Sequence, residues 1–359
     1  MYKVVPDKYR EATNEELAQF IVEAKSRLGE RLTLLAHHYQ RLEVAQMSDF
    51  VGDSYELSKT ASQRKQSEYI VFCGVHFMAE SADILSTDEQ KVYLPNPLAG
   101  CPMADMAAIE DVTAAWQMLE EIGIAGKTIP LSYMNSAAEL KAFCGQREGL
   151  ICTSSNAAAA YKYVYERAEK LFFFPDENLG YNTGRNMGLT DEEMFTWDFR
   201  TGEENIDVDR LRRAKLILWR GHCHVHTNFK PFHVEQVREK FPGVKVVVHP
   251  ECTWDVVEKA DAVGSTKFIV NYIDKQPPGA IIAIGTEINL INRMAHRHPD
   301  KKIFELSGQT CPVCANMYRT TLADLAFTVE NLETRDRIEV DEAIKTDARI
   351  ALNRMLMVH

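Results

Sequence analysis

Leu34-Leu35-Ala36-His37-His38-Tyr39 is a short apolar run that ends in three polar rings, and the chain repeats its pattern twice. The second copy is Pro130-Leu131-Ser132-Tyr133-Met134-Asn135 and the third is Val246-Val247-Val248-His249-Pro250-Glu251. Runs of this length and composition read as buried strands whose last residues leave the sheet. Each is followed by an apolar stretch that turns small and hydroxylic: Val51-Gly52-Asp53-Ser54, Ile151-Cys152-Thr153-Ser154, and Val263-Gly264-Ser265-Thr266. A third strand then ends in Gly or Pro, at Gly74, Pro175 and Gly285, which lie 20, 21 and 19 residues beyond Ser54, Ser154 and Thr266. Each phrase closes on a cysteine, Cys101, Cys223 or Cys314, after a further 27, 48 and 29 residues. Any α/β chain yields strand–loop–strand phrases by chance. Matching spacing with matching chemistry at three strand ends argues for a threefold repeat.

Helical patterns lie between the strands. Asn14 stands as a cap before Glu15-Glu16-Leu17, with Leu17, Phe20, Ile21, Ala24 and Leu28 on one face. Short apolar strands alternating with helices give parallel sheets in α/β units. The fold expected is therefore α/β, with three similar three-layer αβα domains, each holding a short parallel sheet, around a pseudo-threefold axis. The domains expected are 1–110, 111–224 and 225–317, the middle one carrying an insertion near 181–206 rich in Asn, Gly, Asp and Glu. The segment 318–359 reads as two helices, the second capped near Asp341, packing back on the first domain.

With 359 residues and 45% hydrophobic content the chain can bury a large core. A net charge of -11 and a pI near 5.5 suit an enzyme and argue against nucleic-acid or membrane-surface binding, whose footprint is basic. Apolar runs such as Leu171-Phe172-Phe173-Phe174 fall far short of the roughly 18 residues a membrane span needs. The amino terminus carries no signal-peptide h-region, so a cytoplasmic protein is expected. There structural disulfides are rare, and eight cysteines serve as small hydrophobes, metal ligands or redox groups.

In open parallel sheets, ligands bind beyond the carboxyl ends of the strands. His37, Tyr39, Ser54, Tyr133, Asn135, Ser154, His249, Glu251 and Thr266 all fall at such ends. A hydroxyl at a strand-to-helix turn, with free N–H groups behind it, favours carboxylate or phosphate oxygens. Three such turns facing one axis would grip a small, multiply anionic substrate. Taken singly, a Ser or Thr before a helix is more often a plain cap, and a histidine is often just satisfied in the core. Glu251 is more specific, because a carboxylate between an apolar strand and Cys252 needs a partner or a purpose. Cys101, Cys223 and Cys314 occupy corresponding places, one per repeat. Three thiolates are one short of a closed structural zinc site, but they can hold three irons of a [4Fe–4S] cluster and leave the fourth open. Zinc remains an alternative for Cys223 with His222, His224 and His226, and the C-x-x-C of Cys311 and Cys314 is compatible with zinc, a redox pair or cluster ligation.

These residues bring a known family into view. The pieces Leu35-Ala-His-His-Tyr-Gln40, Val51-Gly-Asp-Ser54, Gly74-Val-His-Phe-Met-Ala-Glu80, Cys101-Pro-Met103, Tyr133-Met-Asn-Ser136 and Cys152-Thr-Ser-Ser-Asn-Ala157 resemble quinolinate synthase. So do Gly221-His-Cys-His-Val-His226, Val248-His-Pro-Glu-Cys252, Gly264-Ser-Thr266, Gly285-Thr-Glu287 and Cys314-Ala-Asn-Met317. The resemblance implies an enzyme of NAD biosynthesis that condenses iminoaspartate with dihydroxyacetone phosphate to quinolinate, releasing phosphate and two waters. It implies an oxygen-sensitive [4Fe–4S] cluster on Cys101, Cys223 and Cys314 with one open iron, acting as a Lewis acid in dehydration. It implies substrate contacts from His37, Ser54, Tyr133, Asn135, Ser154, His249, Glu251 and Thr266, with Tyr39 and His226 lining the site. Glu251 is the choice for general acid/base, assisted by Tyr39, His226 and Tyr133. A functional coupling to L-aspartate oxidase, as the source of iminoaspartate, belongs to the same picture; nucleic acid and membrane do not. Cys311 departs from the pattern and reads as a plain thiol able to pair with Cys314 when no cluster is bound. Competing readings are an aconitase-like hydro-lyase with the same open cluster, and an iron–sulfur sensor with an exposed docking face. Radical chemistry with S-adenosylmethionine is disfavoured, because no C-x3-C-x2-C occurs.

Overall fold

A computed structural model describes residues 4–198, 200, 206–308 and 310–358. Three parallel sheets follow one another along the chain. The first is built from β1 (Leu32–His37), β2 (Phe50–Gly52), β3 (Tyr69–Cys73) and β4 (Lys91–Tyr93), in the order β2-β1-β3-β4. The second contains β5 (Thr128–Tyr133), β6 (Leu150–Cys152), β7 (Lys170–Phe174), β8 (Met194–Trp197) and β9 (Leu216–Trp219), ordered β6-β5-β7-β9-β8. The third holds β10 (Lys245–Val248), β11 (Ala262–Val263), β12 (Ile281–Gly285) and β13 (Lys302–Glu305), ordered β11-β10-β12-β13. Removing β8 leaves the same four-strand topology three times, so the fold is α/β with three similar domains.

The repeat extends to register. His37 pairs with Gly52, Tyr133 with Cys152, and Val248 with Val263. In each sheet the two leading strands therefore end side by side, and the next residues leave together on one side. That common exit brings Tyr39, Asn135 and Glu251 alongside Ser54, Ser154 and Thr266. β1, β5 and β7 are buried throughout, which is why they read as continuous apolar runs rather than alternating ones. The fourth strands are only three or four residues long; Lys91-Val92-Tyr93 and Lys302–Glu305 are of mixed composition, while Leu216–Trp219 is apolar throughout but short.

Three details differ from the expectations. The first long helix, Asn14–Leu28, is capped by Thr13 rather than Asn14; the Thr13 side chain accepts from Glu16 N–H while Glu16 reaches back to Thr13 N–H. The extra segment of the middle domain begins after Tyr181, because helix Glu177–Asn186 belongs to the repeat as the counterpart of His76–Leu85 and Ile288–Arg297. Its Gly- and Asn-rich composition reflects packing, not a loop: a Cβ on Gly180 would meet Leu218 at 2.4 Å and Phe173 at 2.5 Å. The added element is β8, on the sheet edge; Phe199 and residues 201–205 of the segment lie outside the described residues.

The third difference is at the carboxyl end. Helix Leu322–Glu330 packs on the first domain, where Leu325 and Val329 share a core with Leu17 and Ile21. Helix Glu342–Met357, by contrast, lies mainly on helix Ala138–Gln146 and β6 of the second domain. Arg354 donates to the carbonyls of Gly145 (3.4 Å) and Gly149 (2.7 Å), and Asn156 to those of Met355 (3.3 Å) and Val358 (3.2 Å). The apolar face Ala348, Ala351, Leu352 and Met355 is fully buried there and ties the second domain to the first.

Candidate active site

The polar strand ends meet in one cavity. His37, Tyr39, Ser54 and Cys101 come from the first domain, and Tyr133, Asn135, Ser154 and Cys223 from the second. His226, His249, Glu251, Thr266 and Cys314 complete the set, so every site residue named from the sequence lines this single wall. No Lys or Arg is among the described lining residues. An anion held here must be bound by hydroxyls, amides, imidazoles, helix N-termini or a metal.

Glu251 is the electrostatic centre. It is only 3% exposed, and its Oε1 accepts from Tyr133 Oη at 2.5 Å. Oε2 lies 2.9 Å from His226 Nδ1, close in distance but not aligned as a straight hydrogen bond. Burial opposes ionisation of Glu251, yet His226, His249 and the Tyr133 hydroxyl outweigh it and hold the pKa down at about 2. His249 is itself kept neutral, at about 3, by burial and by His226, although Glu251 pulls the other way. The rings of His226 and His249 stack at 4.5 Å, and His249 Nε2 reaches Ser154 Oγ at 3.2 Å. On its far side His226 Nε2 meets Thr286 Oγ1 at 3.2 Å and Tyr39 Oη at 3.4 Å; Tyr39 and Thr286 are 2.7 Å apart. Tyr39, His226, Glu251 and Tyr133 thus form one polar cluster, hydrogen-bonded from Tyr39 to His226 and from Tyr133 to Glu251, with His226 and Glu251 in close contact between them. Burial drives both tyrosine hydroxyls well above their usual pKa, with Glu251 adding to the effect.

The hydroxyl turns divide the work of capping from that of facing the cavity. Helix Ser54–Gln63 is capped by Asp53, whose Oδ1 accepts from Glu56 N–H at 2.9 Å, and helix Thr266–Asp274 by Ser265. For Ser54 and Thr266 the plain-cap explanation thus falls on the residue before, and after Ser154 the helix Ala157–Tyr165 begins from Asn156. Thr266 Oγ1 is buried and has no hydrogen-bond partner among the described residues. The three turns are locked together across domains. Asp53 takes the Ser155 hydroxyl, Lys267 pairs with Glu56, and Asn182 donates to the carbonyls of Pro250 (2.8 Å) and Cys252 (2.7 Å).

Among the eight cysteines, Cys73, Cys144, Cys152 and Cys252 are buried hydrophobes, and Cys311 is exposed and free. Cys101, Cys223 and Cys314 alone face the cavity. Each precedes a short helical turn, Ala104–Met106, His224–Thr227 or Ala315–Arg319. Backbone N–H groups two or three residues on face each sulfur: Met103 and Ala104 for Cys101, His226 for Cys223, Asn316 and Met317 for Cys314. Burial pushes the free thiols up, Cys101 to about 12, so a metal would have to displace their protons. Donor N–H groups aimed at sulfur suit a metal-bound thiolate. A single zinc ion needs ligand atoms roughly 4 Å apart, from bonds of about 2.3 Å to sulfur. Among the described residues, the group of three that lies within 4.8 Å is Cys223, His226 and Glu251, not the three thiols. The wider thiol set therefore fits a multi-iron cluster better than one ion. His222 and His224 are exposed and do not join the cavity, which removes them from the zinc alternative.

Three buried polar residues beside the site were not singled out from the sequence: Thr286, Asp176 and Glu287. Thr286 and Glu287 lie in Gly285-Thr-Glu287, and Asp176 follows Pro175, so the signal was the position just past the third strand. Burial raises Asp176 well above the usual carboxyl range and Glu287 to about 7.

Fold and site together define a class: three-domain α/β proteins with a central cavity into which each domain delivers one cysteine. The profile of the Quinolinate synthetase A protein family (NadA) matches residues 19–357. The quinolinate synthase of Acidobacterium capsulatum is 49% identical over 358 residues, covering 98% of this chain and 95% of that protein. Those of Geobacillus sp. (strain WCH70) and Corynebacterium glutamicum are 47% and 46% identical, covering 98% and 99% of this chain and 96% and 91% of theirs. The chain belongs to the quinolinate synthetase A family.

Proposed function

We propose that this protein condenses iminoaspartate with dihydroxyacetone phosphate to quinolinate, with loss of phosphate and two waters, as a step of cytoplasmic NAD biosynthesis. The observation that carries the reading is the convergence, in a member of this family, of three cysteines, three hydroxyl turns and the Glu251 network on one cavity. Ser54, Ser154 and Thr266, at the helix N-termini, hold the carboxylates and phosphate with Asn135, His37 and His249. These neutral donors suit anions without themselves adding charge. Glu251 accepts protons from substrate carbon through Tyr133 or His226, and Tyr39 returns them to departing oxygens across the same polar cluster. Cys101, Cys223 and Cys314 would hold a [4Fe–4S] cluster with one open iron, which supplies a Lewis acid for loss of water. Iminoaspartate is unstable, which favours a functional coupling to L-aspartate oxidase.

Anaerobic purification, an iron and sulfide count, and assays of quinolinate and phosphate test the proposal. Four irons per chain and stoichiometric phosphate and quinolinate are expected. Cys101→Ser, Cys223→Ser and Cys314→Ser should each lose iron and activity, and Cys311→Ser should keep both. Water loss without phosphate release would favour a simple hydro-lyase. A zinc-containing, iron-free protein would discard the cluster.

A further inference from the structure

All three repeats hold the cysteine loop by the same main-chain bond. The first N–H of the helix after the third strand donates to the carbonyl two residues before the cysteine. His76 N–H bonds Ala99 O at 2.8 Å ahead of Cys101, and Glu177 N–H bonds Gly221 O at 2.8 Å ahead of Cys223. Ile288 N–H bonds Pro312 O at 3.1 Å ahead of Cys314. The residue before that N–H is the helix N-cap, and here the repeats diverge: it is Val75, Asp176 and Glu287 in turn.

Glu287 works in two directions. Its Oε2 accepts from Asn289 N–H at 2.7 Å, closing the helix cap. Its Oε1 accepts from Cys314 N–H at 3.3 Å and from Asn289 Nδ2 at 2.8 Å. Asp176 begins the same way, with Oδ1 accepting from Leu179 N–H at 2.6 Å. The Cys223 N–H faces this carboxyl without closing a hydrogen bond, and Oδ2 stays buried and unpartnered. Both acids are 0% exposed. A helix cap alone does not call for a buried acid: Asp53, Asp207 and Asp341 cap other helices, and the last two sit on the surface. Burying a carboxyl is costly unless its oxygens are used.

We infer that Glu287 and Asp176 are positioning residues for the cavity cysteines: Glu287 ties the Cys314 N–H to a helix N-terminus, and Asp176 sets a buried carboxyl on the helix end that holds the Cys223 loop. They fix where those thiols enter the cavity, whereas the Cys101 loop, backed by Val75, has no acid at the corresponding cap. The inference rests on the proposal that the three cysteines bind metal.

The test uses full-length protein, purified and reconstituted anaerobically, with iron release to a ferrous chelator and the electron paramagnetic resonance spectrum of the reduced protein as readouts. Glu287→Ala and Asp176→Ala should release iron at least about tenfold faster than wild type and change the spectrum, as loss of outer-shell partners does. Glu287→Gln keeps the volume and one acceptor oxygen, and should release iron about threefold faster. Thr321→Ala is the control: it removes the cap of helix Leu322–Glu330 and should lower Tm while leaving iron release unchanged. Wild-type release rates and spectra in the Ala variants would overturn the inference, as would fast release from Thr321→Ala. Should the Ala variants fail to fold, a wild-type rate in Glu287→Gln overturns it and faster release upholds it. Absence of iron from wild type would remove the metal reading and this inference together; iron in wild type with unaltered variants removes this inference alone.

Discussion

Glu251 holds a negative charge where water does not reach, and it does so because two neighbours face it. Tyr133 Oη donates to one oxygen at 2.5 Å, and His226 stands 2.9 Å from the other. A carboxylate with a pKa near 2 is a poor base in isolation. Its strength lies in what it does to its partners: it orients His226 and accepts the hydrogen bond of Tyr133, so that a proton taken from substrate can settle within the network. Glu251→Gln keeps the size and loses the charge. Turnover should fall by roughly 10²–10⁴, the range of a positioned acid/base, while the iron content stays at the wild-type value. Quinolinate formation and iron counts on the same preparation check this, and undiminished turnover would take Glu251 out of the chemistry. Thr266 presents the opposite case, a buried hydroxyl with nothing bonded to it. A group that folding leaves unsatisfied is one that substrate can satisfy.

At the level of elements, the close packing of two helices shows what sequence patterns conceal. Helix Glu342–Met357 approaches helix Ala138–Gln146 so nearly that a Cβ on Gly145 would lie 1.9 Å from Asp347 O. Gly145→Ala would ordinarily favour a helix, by up to about 1 kcal/mol. Here the added methyl must push the carboxyl-terminal helix away, and overpacking of that kind costs about 1–3 kcal/mol. The clash should win, lowering Tm in a thermal melt; a raised Tm would mean that the two helices do not meet there. Nothing in Leu140–Arg147 announces this contact, because a glycine needed for close approach looks the same as a glycine in a loop. Gly180 misleads in the same manner, and the insertion read from Tyr181 onward included most of a repeat helix. The leading strands were legible because they are buried on both faces, and their polar ends mark where the chain leaves the sheet. The short fourth strands and the caps Thr13, Asp53 and Ser265 were not. Single caps depend on which of two adjacent polar side chains turns inward, and composition does not encode that. The acids behind the cysteines escaped notice for another reason: Asp176 and Glu287 gain meaning only from the loop packed against them, whose cysteine lies 47 and 27 residues further along.

For the molecule as a whole, the charge of -11 and the cavity make opposite demands. The field of the protein repels an anionic ligand, and no Lys or Arg among the described lining residues offsets it. Attraction must therefore be local, from N–H groups and hydroxyls and, on the proposed function, from a metal held by the three cysteines. Keeping His37 and His249 neutral belongs to the same arrangement, since neutral imidazoles can sit stacked and buried without a counter-charge. That choice has a consequence for stability. Burial holds both at about 3, well below the ordinary 6.5, with Arg293 helping at His37 and His226 at His249. Once unfolded, each takes up a proton as pH falls below about 6.5, whereas the folded protein takes none until about 3. Their contribution to stability is therefore full above pH 6.5 and is lost as pH falls toward 3, ahead of most carboxylates. At pH 5 unfolding should absorb about one proton at each histidine, because the unfolded group is almost fully charged and the folded one almost neutral. Proton uptake on denaturation at pH 5, measured in weakly buffered guanidinium, should then drop by about one in His37→Asn and by about one in His249→Asn. An uptake unchanged by either substitution would mean that the histidines are already charged in the folded protein, and the neutral lining of the cavity would have to be abandoned.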